Sequence, residues 1–226
     1  MRLFLAALFT LAILSTGFCA DNAPNKMTHL IAQMSGTDIP SDSFPAKPKT
    51  IWRASNRYCR VDEEPDPENG IHGRIVMNEP DAWLINLQDN TAQHIVDPGP
   101  TFNCRLPVFA FSQEVLKTKV GQLEFGRELE FFQSNGAKRV VGPKLSFEVN
   151  YYELEIEGAM LKLVERADIH APLMVGIVLG DKSWMVKYLL WDDQVPFQAT
   201  LFDKPTGANI KELSKAPPVK PSSDSQ

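Results

Sequence analysis

The sequence predicts a mainly β (α+β) domain, an antiparallel sheet curled on itself or opened into a half-barrel, with two or three short helices. Short runs rich in β-branched and aromatic residues alternate with turn residues along most of the chain. Within the runs, apolar and polar side chains alternate with a period of two, as a half-buried strand requires. No strand–helix–strand rhythm appears, and a single antiparallel sheet of about nine or ten strands tends to curl or close.

At the start of the chain, Arg2 precedes the apolar run Leu3 to Leu14, which is too short to span a bilayer and fits the core of a secretory signal. Small residues at Ser15, Gly17 and Cys19 place cleavage between Gly17 and Ala20, so residues 1–20 are expected to be a signal peptide. Phe18 stands where a lipobox wants a small residue, which argues against a lipid anchor on Cys19. The product is expected in the periplasm or secreted. Residues 21–48 read as a proline-rich lead-in: Met27, Leu30, Ile31 and Met34 fall at helical spacing, and Pro40, Pro45 and Pro48 forbid a regular ladder after them.

Residues 49–214 read as one β-rich domain. Thr50 to Arg53, Arg57 to Glu63, Ile71 to Asn78, Ala82 to Gln88 and Thr91 to Val96 form a meander punctuated by Ser55-Asn56, Pro65 to Gly70, Glu79-Pro80-Asp81 and Asp89-Asn90. Prolines mark 98–107 as a loop that carries Cys104. Ser112 suits the N-cap of a helix over Gln113 to Val120, and Glu128 to Ser134 reads as a second helix ended by Asn135-Gly136. Strands resume at Leu145 to Ile156, Met160 to Glu165, Leu173 to Leu179 and Ser183 to Trp191, the last two joined through Gly180-Asp181-Lys182. Gln198 to Phe202 reads as a final strand and Ile210 to Leu213 as a turn. Residues 215–226, dominated by Pro, Ser and Lys, are expected to be disordered.

Charge and motifs exclude more than they identify. The 28 Asp and Glu against 23 Lys and Arg argue against a phosphate-tracking surface, so no nucleic-acid partner is expected. His29, His72, His94 and His170 belong to no metal-binding motif, and no G-x-S-x-G, P-loop or G-x-G-x-x-G is present. No catalytic residue, metal or cofactor is therefore assigned. The acids Asp62, Glu63, Glu64, Asp66 and Glu68 lack the spacing of a calcium loop and fit a solvated hairpin tip, and Glu153 with Glu155 fits an exposed strand face. Cys59 and Cys104 form either a disulfide, which an oxidising compartment favours, or two buried thiols.

The aromatic residues Trp52, Trp83, Trp184, Tyr188 and Trp191 are candidates either for core packing or for the lining of an apolar pocket. If a cavity exists, Trp83, Ile85, Trp184, Val186 and Tyr188 are expected to line it. Trp184, Val186, Tyr188 and Leu190 form one continuous apolar face in this reading.

The run KTIWRASNRYCRVDE over Lys49 to Glu63, followed by HGRIVMNEPDAWLINLQDNTAQHIVD, resembles the opening meander of the bacterial outer-membrane lipoprotein carrier superfamily of the LolA and LolB type. AMLKLVE and SWMVKYLLWDDQVPFQATLFDKPTG are similar to its closing strands, so the likeness spans roughly Lys49 to Leu213. The resemblance implies a half-barrel with helices as a lid over an apolar cavity for acyl chains, and no chemistry. The proline-rich lead-in, the cysteine pair and the mid-chain helices depart from it. The reading that follows is a non-enzymatic exported monomer that binds a lipid or lipoprotein acyl chain. The alternative is an envelope scaffold or protein-interaction domain with a fully packed core and an envelope protein as partner.

Overall fold

The computed structural model of the chain describes residues 23–97, 103–110, 112–143 and 145–213. The expected signal peptide, Cys19 and the expected disordered tail lie outside the described residues. The meander strands are β2 (Lys49–Ala54), β3 (Tyr58–Glu63), β4 (Gly73–Asn78), β5 (Asp81–Asn86) and β6 (Thr91–Val96), preceded by β1 (Lys26–Gly36). After the helices α1 (Gln113–Leu116) and α2 (Glu128–Ser134) come β7 (Lys138–Val140), β8 (Val149–Ile156), β9 (Ala159–Arg166), β10 (Ala171–Leu179), β11 (Lys182–Pro196) and β12 (Asn209–Glu212). They form a single open, curled twelve-stranded sheet in the order β12-β6-β5-β4-β3-β2-β1-β11-β10-β9-β8-β7.

The opening segment corrects the sequence reading. Residues 26–36 are not a helix ahead of the domain but the strand that joins its two halves, paired with β2 on one side and β11 on the other. Met27, Leu30, Ile31 and Met34 have helical spacing, yet two register shifts in the β1–β11 ladder alter the alternation along the strand. Burying Leu30 completely between two partners outweighs a short helix's propensity. The final segment differs likewise. Ala199–Phe202 is a 3-10 turn that seats Phe202 in the core, and Asn209–Glu212 is a strand parallel to β6.

Each face of the sheet carries its own core. On the inner face, Leu30, Ile51, Leu161, Leu163, Val175 and Val186 meet a mid-chain cover that contributes Leu106, Val108, Phe109, Leu123 and Phe132. On the outer face, Val76, Trp83, Ile85 and Ala92 meet Phe197, Leu201 and Phe202 from the segment after β11. Full burial of each large apolar side chain stabilises by roughly 1.5–3 kcal/mol, so both covers are strongly held. The cover's first helix starts where the sequence places it, with the Ser112 hydroxyl accepting from the Val115 N–H at 3.2 Å.

The expected continuous face of β11 is broken after Tyr188. Ile31 pairs with Leu190 but Ala32 pairs with Tyr188, leaving Leu189 as an extra residue in the ladder. The extra residue flips the alternation. Leu190 is 38 % exposed, while Trp191 packs against the inner core in its place.

Candidate functional site

A cavity of about 980 Å³ lies between the inner face and the cover. Ala32 of β1, Val61 of β3 and Val186 of β11 line it, whereas Tyr188, Phe131 and Phe132 belong to the packed part of the same core. Met34, Ile51, Ile75 and Met77 complete the sheet wall, and Leu106, Val108, Val115 and Phe125 the opposite wall. The volume lies at the upper end of ordinary ligand pockets, and the walls are predominantly apolar, as such pockets require.

Gly36 of β1 lies opposite Trp184 of β11. A Cβ on it would lie 2.5 Å from the Ser183 carbonyl oxygen and 2.6 Å from Trp184 Cδ1, so only glycine lets β1 pass this close to the indole that lines the cavity. The rim is charged. Lys49 Nζ pairs with Glu63 Oε1 at 2.6 Å, and Lys182 Nζ with Asp38 Oδ2 at 2.7 Å.

Trp184 and Val186 line this cavity, and Tyr188 follows them on the same face. Trp83 and Ile85 do not. They oppose Val76 and Arg74 on β4 and point into the outer core, whereas the intervening Leu84 opposes Ile75 on the inner side. Sequence reasoning chose the aromatic face of β5, but pairing turns that face away from the cavity. It also missed Ile51, Val61, Ile75 and Met77, whose alternation marks a common face once β2, β3 and β4 are in register.

Beside the cavity the cover is pinned by polar contacts. Cys59 and Cys104 form a disulfide with Cα atoms 6.3 Å apart, which settles the choice between bridge and free thiols. Buried Arg53 donates to Glu124 Oε2 at 2.6 Å, to the Phe125 carbonyl at 2.9 Å and to the Cys104 carbonyl at 3.3 Å. Burial lowers the Arg53 pKa, and Glu124 acts against that shift.

Glu128 is fully buried at the start of α2, where it accepts from the Tyr188 hydroxyl and from the Gly126 N–H. Burial raises its pKa to about 7, against the opposing pull of these two donors and of Arg53. Between its ordinary 4.5 and about 7, the unfolded chain loses the proton that the folded chain keeps, so stability falls as pH rises through this window. Glu128→Gln is expected to remove about 3 kcal/mol of that decline, read as the difference between the two proteins' urea midpoints from pH 4.5 to 8. Parallel pH profiles for both proteins would refute it.

The other polar groups hold the sheet together away from the cavity. His94 lies between Asp81 Oδ1 at 2.7 Å and Glu212 Oε2 at 2.6 Å and ties β12 to β5. Burial works to lower its pKa, but the two carboxylates outweigh it and hold the imidazole above its usual range. Buried Glu165 accepts from Asn150, Tyr152 and His170. Asp62 is held by Arg60 and Arg74, and Lys162 pairs with Glu153. Among the described residues no group of three or more His, Cys, Asp or Glu is placed to hold a metal ion.

No protein-family model matches the sequence, and no curated protein matches it. Solved structures do. An uncharacterized conserved protein from Thermus thermophilus is 10 % identical, covers 84 % of this chain and 91 % of its own, and aligns with a TM-score of 0.48. A DUF1329 family protein from Desulfovibrio piger is 7 % identical over 81 % of this chain and 91 % of its own, with a TM-score of 0.25. A LolA superfamily protein from Nitrosomonas europaea is 12 % identical over 81 % of this chain and 91 % of its own, with a TM-score of 0.37.

Proposed function

We propose that this chain is an exported, non-enzymatic binding protein that takes a lipid or lipoprotein acyl chain into the cavity between the inner face of its sheet and the mid-chain cover. The observation that carries the reading is the cavity of about 980 Å³ with predominantly apolar walls. Such a space gains free energy by removing hydrocarbon from water, at about 25 cal/mol per Å² before the costs of association. The Cys59–Cys104 bridge fits an oxidising compartment, in keeping with the leader read over residues 1–20.

Acyl ligands are expected to change the fluorescence of Trp184, which lines the cavity, in a saturable way. The change should be largely lost in Trp184→Phe. Filling the space from the β1 side with Ala32→Phe should weaken binding about tenfold or more, equivalent to ~1.4 kcal/mol of lost burial, in a protein that still melts cooperatively. No fluorescence change and no lipid extractable with the purified protein would overturn the proposal. A stoichiometric protein partner recovered in its place would return the reading to an envelope scaffold.

A further inference from the structure

We infer that the cavity takes a chain ending in an anion, and that the head group sits where Lys47 and Lys49 meet over Phe44 at the rim. The inference rests on the acyl-binding reading above and deepens it by adding the ligand's charge.

All three residues line the cavity, and all three are partly buried. Lys49 Nζ lies 4.8 Å and Lys47 Nζ 5.9 Å from the centroid of the Phe44 ring. Two ammonium groups thus approach one aromatic ring at the edge of an apolar space. Only one of them has a carboxylate partner. Lys49 pairs with Glu63, whereas Lys47 donates to the Pro65 carbonyl at 3.0 Å and makes no ion pair among the described residues. The neighbouring rim pair, Lys182 with Asp38, is already balanced.

The wider lining agrees in sign. Its cations are Lys47, Lys49, Arg105 and Lys182, and its carboxylates are Asp38, Glu63 and Glu114. Arg105 approaches Glu124 at 3.5 Å, but Arg53 already holds that carboxylate at 2.6 Å. The cavity therefore carries a positive excess in a chain whose net charge is −5. An amphiphile entering tail first would place its head beside Lys47, the rim cation that makes no ion pair among the described residues. A fatty-acid carboxylate and a phosphate monoester share the chemistry that this pair recognises.

The test compares three sixteen-carbon probes on the intact, oxidised protein: palmitate, hexadecyl phosphate and hexadecanol. Both anions are expected to bind about fivefold more tightly than the alcohol at low salt, the scale of two partly exposed ion pairs. The preference should shrink in 0.5 M NaCl and collapse towards unity in Lys47→Gln/Lys49→Gln, with circular dichroism and melting confirming that the variant is folded. Which anion binds more tightly identifies the source of the head group. Equal binding of all three probes, or a preference that survives the double substitution, would overturn this inference and leave the acyl cavity intact. Failure of all three to bind would remove the underlying reading as well.

Discussion

Replacing Cys59 and Cys104 together by alanine is expected to destabilise the oxidised protein by about 4 kcal/mol and to lower its melting temperature by about 10 °C. The two cysteines are 45 residues apart in sequence, and their bridge restricts a loop that the unfolded chain would otherwise sample freely. The loss should be unevenly distributed. The bridge joins β3 to the cover, where the Cys104 N–H also donates to the Asn56 carbonyl at 2.7 Å. Hydrogen exchange should therefore quicken first in the cover and last in the ladder of β9, β10 and β11. A uniform rise across the sheet, or a loss below about 1 kcal/mol, would show that the bridge does not hold the cover.

Arg53→Ala is expected to cost about 3–5 kcal/mol, because Glu124 would be left buried with its remaining cation, Arg105, 3.5 Å away and half exposed. Three acceptors lose their donor at once: the Glu124 carboxylate and the carbonyls of Phe125 and Cys104. The double substitution Arg53→Met/Glu124→Met should recover much of the loss, since an apolar pair carries no desolvation penalty for the carboxylate. Urea denaturation of the single and double variants measures the coupling. Additive costs would show that the pair contributes no interaction of its own.

Local pattern was a good guide wherever local chemistry sets the structure. The Glu128–Ser134 helix and the Thr91–Val96 strand have the expected limits, because Asn135-Gly136 and Asp89-Asn90 are strong stop and turn signals. The β10–β11 hairpin likewise turns at Gly180-Asp181. Pattern failed where two periods coexist. Residues 26–36 match a helix when read alone, yet their place between β2 and β11 makes them a strand. Of the five residues expected to line a cavity, Trp184 and Val186 border this one, Tyr188 lies in the packed core beside it, and Trp83 and Ile85 follow an equally clear alternation to the other side of the sheet.

By itself, the sequence determined the antiparallel β class, most turn positions and the presence of large alternating apolar side chains. Those properties depend on neighbours a few residues apart. Only the tertiary structure decided which alternate set faces the cavity, that the bulge at Leu189 exchanges Leu190 for Trp191, and that a space remains between the sheet and the cover. Alternation states that successive side chains point opposite ways, but strand pairing across the whole chain assigns those directions to an inside and an outside. Whether an inside is filled or open then depends on side-chain volumes contributed by segments distant in sequence.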